Sequence, residues 1–212
     1  MSLALYQSRL SLSLSEVPVG CVFALQSTGE VIGYGHNLVN ATKDPTRHAE
    51  LVAWDRITNG GKCSDGLAKD GWDGEGGAQG ESITSPSNSV PSFKVFSNDS
   101  PPPTLPLPVR YDGVSPVVCV VTCEPCVMCA SALRRIPQVK GVVYGCANPR
   151  FGGVDSLREG GFLRREGRFG EEGRWVEGGC REREGMEILK CFYGRENEGC
   201  PEEKRRKKDG KV

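Results

Sequence analysis

Two short motifs set the strongest constraint on how this chain can fold: His48-Ala49-Glu50, and Pro125-Cys126-Val127-Met128-Cys129 far downstream. The chain has ten cysteines but only two histidines, His36 and His48, so any metal site in it must be mostly thiolate. Cysteines three apart on a first helical turn project to one side, and a helix N-terminus favours their thiolate forms. After His48, the residues Ala49, Val52, Ala53 and Ile57 recur at helical spacing, which puts the histidine at or just before a helix start. If His48, Cys126 and Cys129 hold one cation, the fold must bring two helix N-termini together. Structural zinc sites close with four protein ligands, whereas catalytic ones leave the fourth position to water. His36 falls on or just after a predicted strand, and no fourth ligand is equally well placed, which favours an open catalytic site.

Glu50 follows His48 by two residues, near enough to face a metal-bound water without being a ligand. Zinc lowers the pKa of such a water to about 7, and a neighbouring carboxylate can then take up and deliver its proton. The pairing of H-x-E with P-C-x-x-C is the signature of zinc nucleobase deaminases. Each half alone has a blander explanation. A lone C-x-x-C serves as structural metal site, redox pair or chance spacing, and Cys123, Cys126 and Cys129 together also match part of an iron–sulfur run. That run would leave His48 and Glu50 unused. His48 by itself is an ordinary histidine, and Glu50 a first-turn acid suited to the helix dipole. Cys21, Cys119 and Cys146 lie on apolar strands and read as core thiols, while Cys63, Cys180, Cys191 and Cys200 have no visible role.

Around these motifs the pattern is α/β. Leu3 to Leu14 is compatible with a first helix, stopped before Pro18. Val19–Leu25 and Val31–Gly35 form a hairpin through Ser27-Thr28-Gly29-Glu30. Val117 to Thr122 is a buried strand, Pro125 opens a helix through Ile136, and Gly141 to Tyr144 is a further strand; this order predicts a βαβ unit with parallel strands. Asp155 to Glu182 shows no periodicity, and Arg183 to Tyr193 forms the last helix. Between Asn59 and Arg110 stand eight Gly, seven Pro and eight Ser, a composition too poor in apolar surface to offset the entropy of ordering it. The expected organisation is a zinc-dependent deaminase domain over 1–58 and 113–200, a disordered insertion over 59–112, and a basic tail over 201–212.

The 27 Lys+Arg balance 27 Asp+Glu, which argues against a surface that grips polyanions everywhere and leaves local patches open. The clearest patch is Lys204, Arg205, Arg206, Lys207 and Lys208. No run approaches the roughly 18 apolar residues of a membrane span, and no secretory signal is evident, so a soluble protein with reduced thiols and no membrane partner is expected.

Several stretches resemble the cytidine/deoxycytidylate deaminase superfamily and, within it, the catalytic subunits of eukaryotic tRNA-specific adenosine-34 deaminases. They are Glu16-Val17-Pro18-Val19-Gly20-Cys21, Gly35-His36-Asn37 with Asn40, Thr46-Arg47-His48-Ala49-Glu50 and Glu124-Pro125-Cys126-Val127-Met128-Cys129-Ala130. To these are added Tyr144 to Gly153, containing Asn148-Pro149-Arg150-Phe151-Gly152-Gly153, and Met186 to Tyr193 followed by the basic tail. The resemblance implies a three-layer α/β/α cytidine-deaminase-like fold with a mixed sheet of about five strands. It implies Zn2+ on His48, Cys126 and Cys129, and deamination of adenosine to inosine at the wobble position of tRNA by attack of a zinc-bound hydroxide, with Glu50 as proton shuttle. By the same resemblance Asn37, Val19 and Ala49 bind the purine, Arg150 and Phe151 join the basic tail against RNA, and a homologous, catalytically inactive subunit completes a heterodimer in the nucleus and/or cytoplasm. Because an anticodon-loop base is unpaired, its extrusion costs less than flipping one from a duplex. The basic tail reads almost as readily as a nuclear localisation signal or a solvated disordered end. Two other readings stand beside this one: a deaminase of a free base or nucleotide (cytosine, guanine or dCMP), and a non-catalytic RNA-binding or scaffold subunit with structural zinc.

Overall fold

The structure is a computed structural model that describes residues 1–59, 108–159, 161–164 and 173–194. In chain order its elements are α1 (Ser2–Ser13), β1 (Gly20–Leu25), β2 (Val31–His36), α2 (Val39–Thr42), α3 (Ala49–Thr58), β3 (Val117–Cys123) and α4 (Val127–Arg135). They continue with β4 (Val139–Cys146), α5 (Val154–Glu159), β5 (Phe162–Arg164), β6 (Arg174–Glu177) and α6 (Glu182–Gly194). One six-stranded sheet runs in the order β2-β1-β3-β4-β6-β5. The hairpin β1/β2 and the β1/β3 pair are antiparallel; β3/β4, β4/β6 and β6/β5 are parallel. Helices α3, α4 and α5 cover one face and α1 and α6 the other, giving the three layers. The sheet is therefore mixed as expected, with the three-residue β5 added at its edge.

Alternation along the strands builds the two interfaces. On β3, Val117, Cys119 and Val121 are buried with Cys21 and Phe23 of β1 against Ala49, Ala53, Ala130 and Leu133 of α3 and α4. Val22 and Val120 face the other way, toward Ala4 of α1. Cys21, Cys119 and Cys146 are buried thiols, the Cys21 and Cys119 sulfurs 3.6 Å apart. Two close approaches explain glycines. A Cβ at Gly35 would lie 2.7 Å from the Ala53 nitrogen and 2.9 Å from the Ala49 oxygen, so β2 is bare where α3 lies on it. A Cβ at Gly20 would lie 2.8 Å from the Gln7 Cβ, and its absence lets α1 pack directly on β1. The polar residues that α1 buries include two satisfied hydroxyls: Ser8 donates to the Pro18 carbonyl at 2.6 Å and Ser11 to that of Val17 at 2.8 Å.

The hairpin and the βαβ unit form where expected. Asp155 to Glu182, in contrast, is not featureless: it carries α5, β5 and β6. Arg174 of β6 supplies a reason, its guanidinium donating to the Arg134 carbonyl at 2.7 Å and the Ile136 carbonyl at 3.4 Å and lying 5.2 Å from the Phe162 ring. It satisfies carbonyls left open at the end of α4. Of the segment expected to be disordered, 60–107 lies outside the described residues, as does the tail 201–212. Where description resumes at 108 the chain already belongs to the fold: Val109 donates to the Val31 carbonyl at 2.9 Å, and the Tyr111 ring meets Trp54 of α3 with centroids 6.1 Å apart. Among the described residues, no helix is long and apolar enough to cross a membrane.

Candidate active site

His48 is the N-cap of α3 and Cys126 the N-cap of α4, both with extended backbone (φ −74°, ψ 156° and φ −66°, ψ 167°). Neither makes a side-chain cap bond, so both side chains are free to turn toward the space between the two helix starts. There His48 Nδ1 lies 3.4 Å from Cys126 Sγ and 3.5 Å from Cys129 Sγ. All three donor atoms fall within 4.8 Å of one another. Zinc bonded tetrahedrally at about 2.3 Å to sulfur and about 2.0 Å to nitrogen holds such donors about 3.5 Å apart. The donor set therefore fits zinc, with Nδ1 as the histidine ligand and one position open. Among the described residues no fourth His, Cys, Asp or Glu joins the group. Cys123 pairs instead with Cys146, its neighbour across β3/β4, and so stays out of the set; the iron–sulfur spacing does not form a site.

The protonation pattern suits a cation. Hydrogen bonding from Cys129, against the cost of burial and with help from His48, holds the Cys126 thiol at about 4. Cys129 moves the opposite way, raised above all by its bond to Cys126 and then by burial. One thiolate thus stands ready, and the remaining proton is what a bound metal would displace. Glu50, only 3% exposed, sits within hydrogen-bonding reach of the Cys129 sulfur. Burial pushes its carboxyl above the ordinary glutamate value, the direction needed for a group that must both accept and donate a proton near neutrality.

The surrounding frame fixes the ligand turns. Leu38 donates to the Arg47 carbonyl at 2.9 Å, and Arg47 pairs with Asp55 of α3 at 3.0 Å. Partly exposed pairs of this kind contribute about 0–1 kcal/mol, so that bond orients the turn more than it stabilises the protein. On the other side the segment Asn148–Gly153 wraps the cysteine turn: Val127 donates to the Phe151 carbonyl at 3.0 Å, Gly153 to that of Pro125 at 2.8 Å, and Cys126 bridges Gly152. Glu124 anchors this segment by accepting from the Asn148 N–H at 2.9 Å and the Val154 N–H at 3.2 Å.

Of the remaining expected residues, Asn37 (4% exposed) and Val19 are brought together, the Asn37 N–H donating to the Val19 carbonyl at 3.2 Å. Ala49 is fully buried and packs α3 against β2, with no side-chain surface exposed. Arg150 and Phe151 lie beside the cysteine turn with the guanidinium 5.1 Å from the ring, and Phe151 is 59% exposed next to exposed Val127. Lys204 to Lys208 lie outside the described residues. Two residues with structural hold on the site had no role assigned from sequence, Glu16 and Glu124; the available hint was an acid set just before a proline-containing turn, with no basic residue beside it.

The family model for the cytidine and deoxycytidylate deaminase zinc-binding region matches residues 1–146, which include Glu50 and all three metal donors. The chain is 35% identical over 210 residues to tRNA-specific adenosine deaminase 2 of Xenopus tropicalis, covering 99% of this chain and 95% of that protein. It is 34% identical over 157 residues to the tRNA-specific adenosine deaminase subunit tad2 of Schizosaccharomyces pombe, covering 74% of this chain and 28% of that one. Among solved structures, one from work on A-to-I editing by tRNA:A34 deaminases aligns with TM-score 0.50 at 23% identity, over 89% of this chain and 96% of its own. The guanine deaminase of Nitrosomonas europaea aligns with TM-score 0.54 at 15% identity, over 91% and 82%. Both structures share the fold.

Proposed function

The chain belongs to the cytidine and deoxycytidylate deaminases, and on that premise we propose that it hydrolyses adenosine to inosine and ammonia at the wobble position of tRNA anticodons. The observation that carries the reading is the open Cys₂His donor set with the buried Glu50 beside it, its carboxyl raised above the ordinary glutamate value by burial. The adenosine and tRNA parts are supported by the full-length similarity to tRNA-specific adenosine deaminases.

His48, Cys126 and Cys129 would hold zinc, which when bound lowers the pKa of a water and stabilises negative charge built up on its oxygen. Glu50 takes a proton from the attacking water and delivers it to N1 of the adenine as the new bond forms at C6. A second transfer through the same carboxyl leads to the amino nitrogen, and the C6–N6 bond breaks with release of ammonia. Burial keeps this carboxyl away from bulk water, so the proton it takes up stays in the site. Asn37 and Val19, joined by their backbone hydrogen bond, form the wall against which the purine is held. The exposed Phe151 ring with Arg150 across it offers a stacking and charge-bearing edge for a single-stranded RNA loop, and Lys204 to Lys208 add phosphate contacts.

A homologous catalytically inactive subunit as heterodimer partner, and the nucleus and/or cytoplasm as the place of action, complete the proposal; both rest on the family resemblance. Incubating the purified chain, alone and with that subunit, with tRNA carrying adenosine at the wobble position and sequencing for inosine tests it. Conversion in the wild type and a loss of at least about 10³-fold in Glu50→Ala at unchanged zinc content is the expected result. Full activity in the variant, or deamination of free nucleosides with tRNA untouched, overturns it.

A further inference from the structure

The Glu16 side chain is 1% exposed, and its hydrogen-bond partners in the structure are all donors. Its Oε2 accepts from Asn37 Nδ2 at 2.9 Å and from the Asn40 backbone N–H at 3.0 Å, and its Oε1 accepts from the Ala41 N–H at 2.7 Å. The Asn40 side chain in turn donates to the Ser15 carbonyl at 3.0 Å, fastening the same turn to the chain just before Glu16. We propose that Glu16 is a positioning residue that sets the orientation of the Asn37 amide and thereby the hydrogen-bonding edge a nucleobase meets. This rests on the deaminase reading above.

The argument is one of donor and acceptor identity. An amide has an acceptor end and a donor end, and its two flipped states occupy the same space. A carboxylate offers acceptors alone, so Asn37 can only turn Nδ2 toward Glu16; the other flip would set two lone-pair oxygens face to face. One Nδ2 hydrogen is thereby consumed, and Oδ1 with the second hydrogen remains for a ligand. The backbone of Asn37 is held independently, by its N–H on Val19 and by the Leu38 N–H on Arg47, next to the metal ligand His48. What Glu16 adds is therefore the side-chain orientation together with the closing of the 40–41 turn. A glutamine in its place keeps the volume but presents an NH₂ group to one or more of three N–H donors. With its NH₂ toward Ala41 the glutamine still accepts from Asn37, and with its NH₂ toward Asn37 and Asn40 it donates to a reversed Asn37. Each pose leaves one backbone N–H of the 40–41 turn unmatched, so the single orientation that the carboxylate enforces on the Asn37 amide is lost.

The test compares the full chain as wild type, Glu16→Gln, Asn37→Ala and the double variant, with zinc content, Tm, and kcat and KM on a tRNA anticodon stem-loop bearing adenosine at the wobble position. Side-chain amide exchange of Asn37 by NMR is followed in parallel, a readout that needs no turnover. Glu16→Gln should raise KM about tenfold, as Asn37→Ala does, lower kcat by less than about threefold, and retain zinc. The double variant should be no worse than Asn37→Ala, because both remove the same interaction. Slow exchange of the Asn37 side-chain amide in the wild type should become fast in Glu16→Gln. The proposal is overturned by multiplying KM effects, by a fall in Tm and kcat at unchanged KM, or by unchanged amide exchange. Glu16→Asp, which keeps the acceptors on a shorter stem, is read the same way where Glu16→Gln does not fold, and loss of folding in both makes Glu16 a residue of the fold alone. Wild-type inactivity on the stem-loop with the homologous subunit present would sink the substrate assignment, while the amide exchange would still decide the role of Glu16.

Discussion

At Gly152 the room a side chain would need is already filled by the Glu124 carboxyl, the same group that accepts the Asn148 and Val154 N–H bonds. An added methyl therefore cannot be absorbed by a flexible chain end without breaking those bonds. Gly152→Ala should cost about 2 kcal/mol, read as a lowered Tm, with KM on RNA raised as the Arg150–Phe151 edge shifts. Gly173→Ala, where no atom of the described residues lies within 4 Å, is the control and should leave Tm in place; equal losses at both positions would contradict the packing argument. Glu124 and Glu16 also mark where reading from sequence stops. His48, Glu50, Cys126 and Cys129 were legible because their chemistry needs particular residues at short spacings. The two anchoring acids bind backbone groups 24 or more positions away, and such partners leave no local pattern.

Among the elements, α3 and α4 carry the whole donor set at their first turns and approach each other there and in the apolar layer beneath. A metal at that point ties the two helix starts together through side chains alone. Stripping it with a chelator should lower stability by about 4 kcal/mol for a metal present at a thousandfold its dissociation constant. That corresponds to roughly 10 °C in Tm for a chain of this size. Scanning calorimetry of Cys126→Ala/Cys129→Ala should show the low Tm and no further change with chelator; a wild type indifferent to chelation would exclude this tie. The hairpin, the βαβ unit and the helix after His48 were legible because apolar spacing and turn residues agree over each. Not so α5, β5 and β6: β6 has four residues with Val176 alone buried, and it exists because its backbone bonds to β4 on one side and β5 on the other. Strand formation there is decided by neighbours, and nothing in an Arg-, Glu- and Gly-rich stretch announces it.

For the molecule as a whole, zero net charge is an average over unlike regions. From Lys204 to Val212 six Lys/Arg stand against one Asp, so the remainder of the chain is net acidic by the difference. Affinity for RNA should then depend on that end. Replacing Lys204 to Lys208 by alanine should weaken tRNA binding and flatten its salt dependence by roughly 0.7 in log–log slope for each phosphate no longer neutralised, measured by titration at several salt concentrations. An unchanged slope would assign the run to another task.

The pairing of β1 with β3 has a consequence for the order in which the molecule can be made. His48 and Glu50 leave the ribosome well before the thiolates, which follow only after the Gly-, Pro- and Ser-rich stretch between Asn59 and Arg110. Since nascent chains fold from the N-terminus onward, the early helix must wait, with its histidine unmatched, until β3 docks beside β1 and carries Cys126 and Cys129 to it. Metal capture is therefore a late event in biogenesis, and a chain that has gained its zinc has, by that fact, closed the centre of its sheet.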